Sequence, residues 1–312
     1  MINYLRGDTK FKFMKWRTFS FPASIIAAVL SLGLFVSVGM NYGIDFQGGT
    51  LIEVQSKSGP ADIGSIRSQL SGLELGDVQV QEFGTPQDVL IRIETQPGGE
   101  DAQQAVIRLV RATLGDTLDY RRVEVVGPTV SGELAFQGTL AVFGALIAIL
   151  IYIWLRFEWQ FAVGAVIATF HDVIMTIGIF SVTQFEFNLS SIAAVLTIIG
   201  YSLNDTVVVY DRVRENLRRF KKMSLADLLD LSINQMLSRT ILTSVTTLLA
   251  LLSLYFLGGE VIRSFTFAMI FGVVIGTYSS IFIAAPVLIF LGLRVGARED
   301  GDAPEAEAEP QG

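Results

Sequence analysis

Asp205 is the residue in this sequence that most needs a reason for being where it is. It lies well inside the apolar run that opens LSSIAAVLTIIGYSLNDTVVVYDRVREN, residues 189–216. A helical period places Thr197, Tyr201, Asn204 and Asp205 on one side of that run. An aspartate near the middle of a membrane-crossing helix costs roughly 2.5–3.5 kcal/mol, so it faces a partner or a wet cavity and is a functional suspect. A second charge, Arg239, opens the next apolar run, SRTILTSVTTLLALLSLYF. The two runs are antiparallel neighbours, and both charges lie toward the same end, so the sequence predicts an Asp205–Arg239 pair shielded from lipid. Thr243, Thr246 and Thr247 lie one or two turns deeper, where hydroxyls can hold water or bond across helices. His171 and Asp172 sit midway along the preceding run, flanked by Thr169 and Thr176. They suit either a proton relay or a hydrogen-bonded lock between helices.

Two chemistries fit the Asp205–Arg239 pair. One is structural, an ion pair that fixes helix register. The other is proton conduction: a carboxylate that exchanges a proton beside a permanently charged arginine is a switch, because protonation unpairs the arginine and changes which packing is cheapest. One elementary charge crossing the membrane gains about 2.3 kcal/mol per 100 mV, enough to drive such a switch.

These residues need helices to carry them, and the composition supplies helices. Half of the 312 residues are apolar (51%) and only 17% are charged, the balance of a polytopic membrane protein. Apolar runs of spanning length lie near 18–40, 136–155, 161–182, 189–210, 240–257 and 265–292, six spans in all. The first follows a basic segment, residues 1–17, and is too long for the apolar core of a signal peptide, so it is expected to remain as a helix. Lys and Arg gather at the N-terminus, at Arg156, from Arg212 to Lys222, and at Arg294 and Arg298, which fall on one side if the spans alternate; that side is expected to be cytoplasmic. Residues 211–236 combine a basic stretch with an amphipathic one, in which Leu225, Leu228, Leu229 and Ile233 share a face, and are expected to anchor on anionic headgroups, with a partner site as the alternative. Gly272 and Gly276 form a GxxxG step and Gly164 with Ala168 a small-xxx-small step, both permitting close helix approach.

One large segment, 41–133, lies outside the spans on the periplasmic side. TLIEVQSK, DVQVQEF, DVLIRIET and DYRRVEVVG alternate as strands, the middle two joined by a Gly-Thr-Pro-Gln turn, and two helical stretches intervene. The order βαββαβ is that of a ferredoxin-like domain. It holds no nucleophile with a base and no Gly-rich phosphate loop, so contact rather than catalysis is expected of it. The absence of cysteine and the single histidine exclude disulfides, iron–sulfur clusters and multi-histidine zinc sites, so no metal or cofactor is expected. The net charge of -7 says little about partners, since six acidic residues fall in the last fourteen positions, within a tail, 294–312, whose composition predicts disorder. No aromatic platform accompanies the basic residues, so nucleic-acid binding is not expected.

Several motifs in order carry a resemblance: GIDFQGG at 43–49, VGPTVSGEL at 126–134, HDV at 171–173, IGYSLNDTVVVYDRVREN at 199–216 and LSRTILTS at 237–244. They resemble the SecF branch of the SecD/SecF family, proton-driven membrane subunits of bacterial protein export within the resistance-nodulation-division superfamily. The resemblance runs from the basic N-terminus through the sixth span. It implies a pseudo-symmetric SecD partner, work beside the SecYEG channel after the SecA ATPase, and unfolded preproteins drawn out with protons as the energy source. It implies Asp205 as the proton carrier, Arg239 as its gate, and Asp45, Gly48 and Gly49 as the junction between the first span and the external domain. The alternatives are a small-molecule or lipid exporter of the same superfamily, a non-transporting scaffold, and, more remotely, an intramembrane protease.

Overall fold

The computed structural model describes residues 9–293. The acidic tail and its Arg294 and Arg298, like Arg6, lie outside the described residues. Within them six helices are long and apolar enough to cross a membrane. They are α1 (Arg17–Ser37, preceded by a 3-10 turn at Phe13–Trp16), α5 (Pro128–Arg156), α6 (Trp159–Thr183), α7 (Leu189–Arg219), α8 (Leu225–Leu257) and α9 (Arg263–Ser279). The last continues through a π-helical stretch, Ser280–Ala284, into α10 (Ala285–Phe290). Helices α6, α7 and α9 form the buried centre and α1, α5 and α8 the outside, so the chain is a polytopic α-helical membrane protein. The second span starts at Pro128, earlier than hydropathy suggests, because a proline at the first helical turn loses no hydrogen bond.

Between α1 and α5, after the single turn α2 (Ile44–Gln47), lie β1 (Gly49–Ser56), α3 (Ile63–Ser71), β2 (Val78–Phe83), β3 (Thr85–Ile93), α4 (Gly99–Leu114) and β4 (Leu118–Val126). The sheet order is β2-β3-β1-β4, antiparallel throughout, the ferredoxin-like arrangement. Ile52, Val54, Val80, Val89, Ile91 and Ile93 meet Ile66, Leu70, Val106, Val110 and Leu114 from the two helices. Leu90 and Arg92, on the opposite face of β3, are buried too; Leu90 packs on Ile44 and Leu51. The junction with the membrane helices covers this second face around Leu51, Leu90 and Arg92, while Gln79 and Gln81 on the same face stay exposed. The expected Gly-Thr-Pro-Gln turn is tighter than its four residues: β3 already begins at Thr85, and only Gly84, at φ +84°, turns. Pro86 is tolerated because β1 pairs with β3 only from Asp88 onward.

Residues 211–236 do not form a separate membrane-surface anchor. Helix α7 runs on to Arg219 and α8 already begins at Leu225, so both spans project as a helical hairpin. The apolar face found in the sequence meets protein instead of headgroups: Leu228, Leu229 and Ile233 are fully buried in a cluster with Tyr210, Val213 and Leu288. Asn216 Nδ2 donates to Ser232 Oγ and Gln235 Oε1, both at 2.8 Å, tying the hairpin together. The segment before α1 is clamped to α8, since Met14 N donates to Asp230 Oδ1 at 2.8 Å and Phe11 exchanges two hydrogen bonds with Asn234.

Candidate functional site

Two carboxylates are buried where α6, α7 and α9 meet. Asp172 of α6 has no exposed surface, and Asp205 of α7 is 7% exposed. Asp172 Oδ2 accepts from Ser202 Oγ and from Ser279 Oγ, each at 2.6 Å, and its Oδ1 lies 2.9 Å from His171 Nδ1. Asp205 Oδ1 accepts from Thr240 Oγ1 at 2.8 Å, and its Oδ2 accepts from Ser280 Oγ. Neighbouring serines, Ser279 and Ser280, thus serve the two acids on two different helices. About 100° of helix rotation separates successive side chains, and α9 changes to π geometry at this point.

The expected Asp205–Arg239 ion pair is not present. Arg239 points outward from α8, near enough for Asp205 to feel its charge but without an ion pair to it. One residue of α8 decides this. Thr240, one position on, faces inward and takes the carboxylate, which leaves Arg239 rotated away. Of the other residues on the expected face, Tyr201 reaches Ser244 Oγ at 3.1 Å, while Asn204 and Thr197 face outward. Thr243 bonds back to the Arg239 and Thr240 carbonyls, and Thr247 is half-buried. His171 is buried, with Nε2 unpartnered. Ser202, Thr240, Ser279 and Ser280 escape sequence reasoning, because serine and threonine are common in spanning helices; only the adjacent pair inside an apolar run hints at them. Gly272 and Gly276 lie against α7: an added Cβ on Gly272 meets the Ile198 side chain, and one on Gly276 meets Ser202 Cβ at 3.1 Å.

The helix that carries Asp205 also receives the soluble domain. Asp45 Oδ2 accepts from Leu189 N, at the first residue of α7, at 2.8 Å. Residues 41–43 pair with the loop before α7 through Gly43 N to Phe187 O at 2.9 Å and Phe187 N to Asn41 O at 2.7 Å. Gly48 and Gly49 have φ of +73° and +119°, and a Cβ on Gly49 would strike the Ile93 carbonyl oxygen, so the junction into β1 needs both glycines. Arg92 of β3 sends Nη1 to Asn41 Oδ1 at 3.1 Å and pairs Nη2 with Glu186 Oε2 at 2.6 Å.

Burial pushes the Glu186 carboxyl above its ordinary range, Arg92 pulls it down, and Asp45 and Glu124 push it up. A folded-state value raised in this way favours the neutral form: its stabilisation is present in acid and lost as pH rises through that value. Ionised Glu186 therefore depends on Arg92. Arg92→Ala is expected to cost about 3 kcal/mol at neutral pH, the lower end for one partner of a buried pair, and less in acid. Glu186→Gln keeps an oxygen that accepts from Arg92 but removes its counter-charge, and should cost about 2 kcal/mol with little dependence on pH. Thermal midpoints of the two variants across pH check the ranking, and equal losses at all pH values would contradict it.

The family profile described as "Protein export membrane protein SecD/SecF, C-terminal" matches residues 106–294, and that of the "SecD/SecF GG Motif" matches 33–59. The protein translocase subunit SecF of Rhodobacter capsulatus is 46% identical over 300 residues, covering 91% of this chain and 90% of that one. SecDF of Brucella abortus is 48% identical over 299 residues, covering 96% of this chain. The crystal structure of SecDF, a translocon-associated membrane protein from Thermus, superposes with a TM-score of 0.82 at 34% identity over 92% of this chain. This chain spans 39% of the length of each of those two SecDF proteins. By profile, by relatives along almost its full length and by fold, this chain belongs to the SecD/SecF family of protein export membrane proteins.

Proposed function

We propose that this chain is the SecF half of an accessory complex that uses the proton motive force to draw preproteins out of the SecYEG channel, late in translocation, after SecA has acted. The observation that carries the reading is that Asp205, a carboxylate held by neutral hydroxyls, sits on the helix whose first residues hold the soluble domain. A proton arriving at Asp205 changes the charge between α7, α8 and α9. Any shift of α7 is transmitted to β1 and β3 through Asp45 and the Arg92–Glu186 pair. Asp172, sharing the serine pair of α9, is the second station of the proton path, and Arg239 sets the field at its edge.

An outward row on α7, Ala193, Thr197, Gly200 and Asn204, stands beside outward Arg239, Thr243 and Thr246 on α8. Polar groups at that depth face a protein or a wet cavity rather than lipid. A SecD partner fits there. The basic residues at one end of the bundle support an orientation with that end cytoplasmic and the soluble domain periplasmic, in a bacterial inner membrane.

The test is release of a preprotein into the lumen of inverted membrane vesicles holding SecYEG, SecA, a SecD partner and this chain, with and without an imposed proton gradient. The gradient is expected to raise the release rate. Equal rates with and without it would sink proton coupling, and equal rates with and without this chain would sink the export role itself.

A further inference from the structure

At the end of the bundle opposite the soluble domain, a groove of about 320 Å³ opens between the segment leading into α1 and the last part of α9. Phe13, Trp16, Phe19, Tyr278 and Phe282 wall it, and Ser20 lies among them. Tyr278 and Phe282 stack at 5.2 Å between ring centres, with Phe13 edge-on to Phe282 at 6.0 Å. Trp16 and Phe19 remain 63% and 70% exposed, so the apolar slot is open to the bilayer. The Ser20 hydroxyl is buried, the residue being 6% exposed, and finds no hydrogen-bond partner.

The segment that walls this slot is cationic, and Lys12 lines the slot itself. Lys10, Lys12 and Lys15 are exposed, Arg17 is half-buried, and no acidic residue occurs from 9 to 37. The carboxylate facing them is Asp230, which feels Lys12 but already accepts from Met14 N. An aromatic slot at the edge of the apolar layer, a buried hydroxyl lacking an acceptor and positive charge on the walling segment together match one amphiphile. A hydrocarbon chain fills the slot, ester or glycerol oxygens come level with Ser20, and a phosphate meets the lysines. A partner helix would fill the slot and leave the charges without counterparts.

We propose that this groove binds an anionic phospholipid of the leaflet opposite the soluble domain. The inference does not rest on the export reading. Lys12, the lysine that lines the groove, favours an anionic over a zwitterionic headgroup by about five-fold.

The chain holds three tryptophans, Trp16, Trp154 and Trp159, so Trp154→Phe with Trp159→Phe leaves Trp16 as the single reporter. The full chain is placed in phosphatidylcholine discs doped with phospholipid brominated on its acyl chains. Brominated phosphatidylglycerol is expected to quench Trp16 at a mole fraction about five-fold lower than brominated phosphatidylcholine. Lys12→Gln with Lys15→Gln, both at exposed positions, should bring the two curves together. Equal quenching by both lipids in the unaltered groove would overturn the proposal, leaving only bulk lipid there. A preference that survives the double lysine replacement would also overturn it. So would loss of quenching by either lipid once the membrane partner is present, which would assign the groove to a partner helix.

Discussion

Asp205→Asn is expected to abolish the gradient-dependent part of preprotein release while leaving the chain folded and inserted. Asparagine keeps the size of the side chain and an oxygen that accepts from Thr240 or Ser280, so the change in stability should stay within about 1 kcal/mol. What it cannot do is take up a proton. Release without the gradient should match the native chain, and release with it should fall to that same basal rate. Stimulation that persists in a folded Asp205→Asn chain would make Asp205 structural and place coupling in the partner. Asp172→Asn separates the two roles that its sequence context leaves open. As a station reached through Ser279 and Ser280 it should also lose stimulation; as a lock between helices it would lower the thermal midpoint and keep stimulation.

The second large effect is expected from α9. In Gly272→Leu the new side chain must occupy space held by Ile198, itself 1% exposed in a cluster with Phe180, Ala268 and Val273. Overpacking of that kind costs about 1–3 kcal/mol, and here the upper end applies because the clash begins at Cβ, which no rotamer can turn away. Gly276→Ala is different. Its Cβ lies 3.1 Å from Ser202 Cβ, a contact relieved by a few tenths of an ångström, and alanine gains up to about 1 kcal/mol of helix propensity. Its thermal midpoint should hardly move, yet Ser202 donates to Asp172, so gradient-driven release should decline. Purified chains compared by thermal melting, and vesicles by release, test both; a Gly272→Leu chain as stable as the native one would show that α7 and α9 are not closely packed in solution.

Much of this was legible in residue order. The spans follow from apolar runs too long to belong anywhere else, and the soluble domain from the strand-like runs of β1, β2, β3 and β4 with helical stretches between them. Asp205 could be found because a carboxylate in an apolar run is expensive. Its partners could not. Arg239 and Thr240 are adjacent, and choosing between them requires the rotation of α8 about its axis, which is set by packing rather than by α8's own sequence. Opposite charge makes Arg239 the natural choice from residue types, but in lipid two hydroxyls satisfy a carboxyl group without burying a second charge. The leucines of 225–233 misled for a related reason. An amphipathic face looks the same in sequence whether it meets headgroups or the protein's own helices, and here Tyr210 and Val213 take the place of headgroups.

The π-helical stretch at Ser280–Ala284 has a consequence for how α9 tolerates change. It amounts to one surplus residue threaded into an otherwise regular spiral, so the rows of side chains above and below are out of step with each other. Removing a single residue there would restore regularity and turn everything beyond it by about 100°. Leu288 would swing out of the cluster it shares with Tyr210 and Leu229, or Ser279 and Ser280 would turn away from their acids. The helix can satisfy both halves only by keeping its miscount, so a one-residue deletion in this stretch should be worse tolerated than most single substitutions along the same span.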